Sequence, residues 1–214
     1  MRDSNTDFIF VYWIYFISLI SLFILLLESF GLITNLFVSD ISRISSLIIL
    51  VFFIYVFRGG FLLFHLRDAI NEIHKECNLN YKNIFIEIYT NYLFQINKNQ
   101  NLNIKSLNEE FKSKSYSYVD SGFFVADVLM KLGIVGTVIG FIIMLNSIAN
   151  IGEIDLSKMN NLILNMSLGM KVALYTTLTG LIGSLLLSIQ FNFIEQKINI
   201  FISKVLNTNY HEKK

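Results

Sequence analysis

Residues 131–141 read K-L-G-I-V-G-T-V-I-G-F, and residues 169–184 read G-M-K-V-A-L-Y-T-T-L-T-G-L-I-G-S. Both stretches lie inside long apolar segments, yet both carry glycine and threonine where a lipid-facing helix would carry leucine. Glycine lowers helix propensity, and a hydroxyl gains nothing from lipid. These residues therefore face something other than lipid, and the segments read as membrane helices with a specialised side.

The rest of the chain supports a membrane protein. Hydrophobic residues make up 54% of its 214 residues and charged residues 15%, against about 25% charged in a soluble domain. The mean hydropathy is +0.56. The net charge of +1 points to no nucleic-acid partner. The single cysteine, Cys77, allows neither an intrachain disulfide nor a cysteine metal site. His65, His74 and His211 are scattered through polar flanks, without metal-ligand spacing or a nucleophile–base pairing. The expected function is non-enzymatic, with no metal and no cofactor.

A span needs about 20 apolar residues. Four segments qualify: 8–27, 44–64, about 123–148 and about 168–193. The first is too long for a cleavable signal, and no small-residue cleavage site follows Glu28. The second is interrupted by Arg58-Gly59-Gly60, with Arg58 placed to snorkel. The polar stretch 66–122 is expected to hold two helices, one continuing span two over 67–76 and one carrying Ile84, Phe85, Ile88, Tyr89, Tyr92, Leu93 and Ile96. Asn97 to Asn103 reads as a loop. Beyond span four, Ile194, Ile198, Phe201, Ile202 and Val205 continue an apolar stripe, so one long helix should leave the membrane.

The expected fold is an all-α integral membrane protein of about four spans, with spans three and four extending into the cytoplasm. It divides into an N-terminal hairpin (1–65), a cytoplasmic helical region (66–122), a two-helix core (123–193) and a C-terminal helix (194–214). Lys and Arg cluster in the middle segment and the tail, whereas loops 28–43 and 150–167 carry one basic residue each. The positive-inside rule then places the middle segment and both termini in the cytoplasm.

At about 100° per residue, each of the last two spans has one small face. In span four this face holds Gly169, Ala173, Thr177, Gly180, Ser184 and Ser188, and in span three Ala126, Gly133, Gly136, Thr137, Gly140 and Ser147. Such stripes serve close helix packing. The threonines add a second option. Thr137 and Thr177 lie on the stripes with Thr176 beside them, and a hydroxyl can serve an ion, a water or a carboxylate in a narrow pathway. Asp127 and Lys131 read as an i,i+4 pair at the cytoplasmic edge, and Lys171 as a snorkelling residue near the outer interface. Neither stripe holds a carboxylate, so an ion path here needs one from another chain.

At these residues the chain resembles a known family. L-G-I-V-G-T-V-I-G-F (132–141) is similar to the pattern L-G-L-x-G-T-V-x-G of the MotA/TolQ/ExbB proton channel proteins. A-L-Y-T-T-L-T-G-L (173–181), with Asn192 downstream, is similar to that family's last-helix pattern A-L-x-x-T-x-x-G-L…N. The likeness covers roughly residues 122–192. It implies a homopentamer in the bacterial cytoplasmic (inner) membrane, around a pore holding a dimer of a single-span partner similar to ExbD, TolR or MotB. That partner supplies a membrane Asp, and flow of H+ or Na+ drives its movement. The resemblance assigns the residues facing that Asp to Thr137 and Thr177.

The likeness is to the superfamily rather than to one branch. Two hydrophobic segments before the cytoplasmic region resemble the MotA plan, whereas ExbB and TolQ have one. The insert is short for a flagellar stator, and the prolines of that branch are missing. Two other classes remain: a simple channel or transporter, and a scaffolding membrane protein whose stripes serve assembly alone.

Overall fold

The structure is a computed structural model that describes residues 4–31, 33–34, 43–72, 83–98, 104–149 and 156–211. Among these residues the chain is helical, with no strand. The main helices are α1 (Ser4–Ser29), α2 (Ile44–Glu72), α3 (Ile84–Lys98), α4 (Ile104–Ala149) and α5 (Leu156–His211). Helices α1, α2, α4 and α5 are long and apolar enough to cross a membrane. At 46 and 56 residues, α4 and α5 are about 69 and 84 Å long, more than twice the ~30 Å hydrocarbon core.

Hydropathy delimits what lipid covers, not where a helix ends, and two expected boundaries move. Helix α4 reaches back to Ile104, the expected extension of span three, and its 104–122 stretch keeps Leu107, Phe111, Ser115 and Val119 on one buried face. Helix α5 begins at Leu156, inside the expected outer loop. Asn97 and Lys98 close the last turn of α3 rather than opening a loop. Helix α2 does continue past span two to Glu72. Residues 73–76 and 99–103, with His74 and Cys77, lie outside the described residues.

The chain forms two compact units. The first comprises 1–17, 56–123 and 189–214. Its core is aromatic: Phe201 packs on Phe85 and Phe111 at ring centroid distances of 5.6 and 6.0 Å, and Tyr92 stacks on Phe111 at 4.7 Å. Burying each such ring contributes about 1.5–3 kcal/mol. The stripe Ile194, Ile198, Phe201, Ile202 and Val205 is buried, as its spacing requires. Asn83 caps α3, its Oδ1 accepting from the Phe85 N–H at 3.1 Å, while its Nδ2 donates to the His65 carbonyl at 2.7 Å. The Tyr116 hydroxyl donates to Asn199 and ties α4 to α5.

The second unit comprises 18–55 and 124–188. Its fully buried apolar side chains, among the described residues, are Ile48 of α2, Leu129 of α4, and Val172 and Leu187 of α5. Helix α1 turns at its C-terminal end through Gly31, whose φ of 66° is easy only for glycine and whose N–H bonds the Glu28 carbonyl at 2.7 Å. The Glu28 carboxylate then accepts the Thr34 hydroxyl at 2.5 Å. Along its stretch of α1, Leu19, Leu22 and Leu25 are exposed. Helix α2 is two-sided: Leu47, Leu50, Ile54 and Phe57 are exposed, whereas Ile48, Phe52 and Val56 are buried.

Candidate functional site

The two sequence stripes meet each other. Gly133, Gly136 and Gly140 of α4 face Gly169, Ala173, Thr176 and Gly180 of α5 along one seam. A Cβ at Gly180 would lie 2.8 Å from the Gly133 Cα, and one at Gly136 would lie 2.4 Å from the Thr176 Oγ1. At Gly140 it would come within 2.6 Å of the Ala173 backbone nitrogen. No side chain fits at these distances, so glycine spacing of three, four and seven residues sets the approach. In a membrane this matters more than apolarity, since lipid is as apolar as leucine and packing must hold the helices together.

The threonines divide by position. Thr176 is wholly buried in the seam, and its hydroxyl donates to the carbonyls of Val172 and Ala173 at 2.8 and 3.0 Å. Thr177 is half-buried at the seam's margin. Its hydroxyl donates to the Ala173 carbonyl at 3.0 Å and lies 3.4 Å from the Gly133 carbonyl of α4. Thr137, also half-buried, lies one turn beyond Gly133 and donates to the Ile134 carbonyl at 2.5 Å. The Thr177 hydroxyl thus lies against the α4 carbonyl one turn before Thr137. Each hydroxyl gives its proton to its own helix and keeps lone pairs for an outside donor or cation.

Ser184 is half-buried on the Thr177 side of α5. The side chain of Ser147 lies outside the described residues. Lys131 and Asp127 form the expected i,i+4 pair at 2.5 Å, with both side chains well exposed. Lys171 is exposed. Between Asp127 and Glu195, neither α4 nor α5 carries an acidic residue.

A second close contact lies in the other unit and was not singled out from the sequence. The Gln190 side chain is buried, and its Nε2 donates to the Val56 carbonyl at 3.0 Å. It lies against Gly59, where a Cβ would meet Nε2 at 2.4 Å. The Trp13 ring covers Gly60, where a Cβ would fall 2.2 Å from Cζ2. The Gly59-Gly60 break in span two is thus a seat for two large side chains. The signal was present: two adjacent glycines and one glutamine inside otherwise apolar runs.

The fold and seam define a multi-pass helical membrane protein whose last two helices are locked together by glycine. The model of the MotA/TolQ/ExbB proton channel family matches residues 124–206, a stretch that contains the whole described seam. The chain matches no curated protein and no solved structure.

Proposed function

We propose that this chain is the ring-forming subunit of an ion-driven motor in a bacterial cytoplasmic membrane. Five copies would surround a pore lined by α4 and α5, with α1 and α2 toward lipid and both termini in the cytoplasm. A dimer of a single-span partner, similar to ExbD, TolR or MotB, would fill the pore and supply the membrane Asp. The observation that carries this reading is the pair Thr137 and Thr177 at the margin of the glycine seam in the family-matched region.

The chemistry follows from those hydroxyls. With their protons bonded to helix carbonyls, they accept from a protonated partner Asp, or from the water that delivers its proton. They equally offer oxygen to Na+. A neutral Asp in a dry lumen is then held without burying a charge. Once the proton leaves, the hydroxyls can rotate to donate to the carboxylate, and this exchange of partners lets the Asp load and unload. The subunit contributes no carboxylate of its own, so the titrating group moves with the partner and ion flow displaces it.

The test is assembly with conduction. The chain is co-expressed with a single-span protein carrying a membrane Asp, and the complex is sized by native mass spectrometry. It is then reconstituted in liposomes under an H+ or Na+ gradient. Five copies around two partners, with ion flux, support the proposal. A stable monomer or dimer of this chain, or a ring without flux, overturns it.

A further inference from the structure

The second unit contains a groove of about 270 Å³ that the ion path does not use. It lies between the outer halves of α1, α2 and α5, with Ile24, Ile48, Phe52, Tyr175, Ile182 and Leu186 among its walls. Its lining is almost wholly apolar, and the Thr179 hydroxyl on its wall is turned to its own helix, donating to the Tyr175 carbonyl at 2.7 Å. Phe53 and Leu178, both exposed, mark its open side. A dry apolar cavity of ~150 Å³ already takes up apolar ligands rather than water, so this larger space calls for hydrocarbon.

Its length and its charged end identify the hydrocarbon. From Tyr175 to Leu186 the wall runs eleven residues, about 16 Å of helix, close to half of the ~30 Å core. That is the depth of one leaflet. Lys171 lies one turn beyond Tyr175, and residues 171, 175, 178, 182 and 186 share one face of α5 at i, i+4, i+7, i+11 and i+15. An exposed ammonium therefore stands above the groove at its outer end. We propose that the groove holds one acyl chain of an outer-leaflet phospholipid, with its anionic headgroup on Lys171. The leaflet assignment rests on the orientation proposed above; the groove and its lysine do not depend on ion conduction.

Gly183 gives a clean test, because a Cβ there meets nothing closer than 3.6 Å and a larger side chain grows into the groove. The purified complex is washed in detergent, and bound phospholipid is measured by native mass spectrometry and by extraction. Wild type is expected to retain one phospholipid per chain, with anionic lipids enriched. Gly183→Leu should lower retention by about tenfold, equivalent to ~1.4 kcal/mol. Lys171→Gln, a surface change with no packing cost, should keep a lipid but lose the anionic preference. Equal retention in wild type and Gly183→Leu overturns the proposal. So does efficient cross-linking of a cysteine at Phe53 to a neighbouring protein helix, which would make the groove a subunit contact. Should Gly183→Leu fail to fold, the headgroup preference in wild type against Lys171→Gln still decides. Ion flux is read separately, so loss of the lipid and failure of the motor reading are distinguishable.

Discussion

Gly140 and Gly169 touch backbone to backbone: a Cβ on Gly140 would lie 2.7 Å from the Gly169 carbonyl oxygen, and one on Gly169 would lie 2.8 Å from the Gly140 carbonyl oxygen. The contact is reciprocal, so neither helix can yield by turning a side chain. It fixes how α4 and α5 meet, and with it where Thr137 and Thr177 stand. Gly140→Ala gains up to about 1 kcal/mol of helix propensity but forces the backbones apart at a cost of roughly 1–3 kcal/mol. The expected net effect is a lower midpoint for thermal unfolding in detergent. Gly183→Ala, with no contact closer than 3.6 Å, should be neutral or stabilising.

The Gly60–Trp13 contact should behave as a coupled pair. Gly60→Leu displaces the Trp13 ring from the surface it covers, and Trp13→Ala removes the obstacle. In a double-mutant cycle on unfolding, the coupling is expected at about 0.5–3 kcal/mol. Additive effects would mean that the ring does not rest on Gly60.

Topology is testable in intact cells. With the middle segment cytoplasmic, a cysteine at Asn35 or Asn160, introduced into a Cys77→Ala background, should react with an impermeant maleimide added outside. A cysteine at Asn101 should react only after lysis. Labelling of Asn101 in intact cells would reverse the orientation.

Much of this architecture is legible in the residues, and the limits have physical causes. Apolar length reveals four spans, and the glycine spacing at 133, 136, 140 and at 169, 180 reveals two small faces. A wheel drawn for one helix does not say that these faces meet each other, nor that Thr176 is inside the contact while Thr177 is at its edge. That depends on a few degrees of rotation between helices, set by the Gly136–Thr176 and Gly133–Gly180 contacts. The extension of α4 was legible, but not its start, because its buried face, Leu107, Phe111, Ser115 and Val119, is sparse among Lys, Glu and Ser. The Gln190–Gly59 contact pairs residues far apart in the chain, beyond the reach of periodicity.

The most direct measurement is ion conduction by the reconstituted complex carrying Thr177→Val, with ring stoichiometry read on the same sample. Valine keeps the shape and removes the hydroxyl at the seam's margin, so the ring should assemble. Flux should fall by at least about tenfold, the equivalent of ~1.4 kcal/mol of barrier. Thr176→Val, whose hydroxyl is enclosed on its own helix, should conduct nearly as wild type, and Thr137→Val should resemble Thr177→Val. If Thr177→Val forms intact rings that conduct as wild type, the hydroxyl only packs and the ion-pathway account is contradicted.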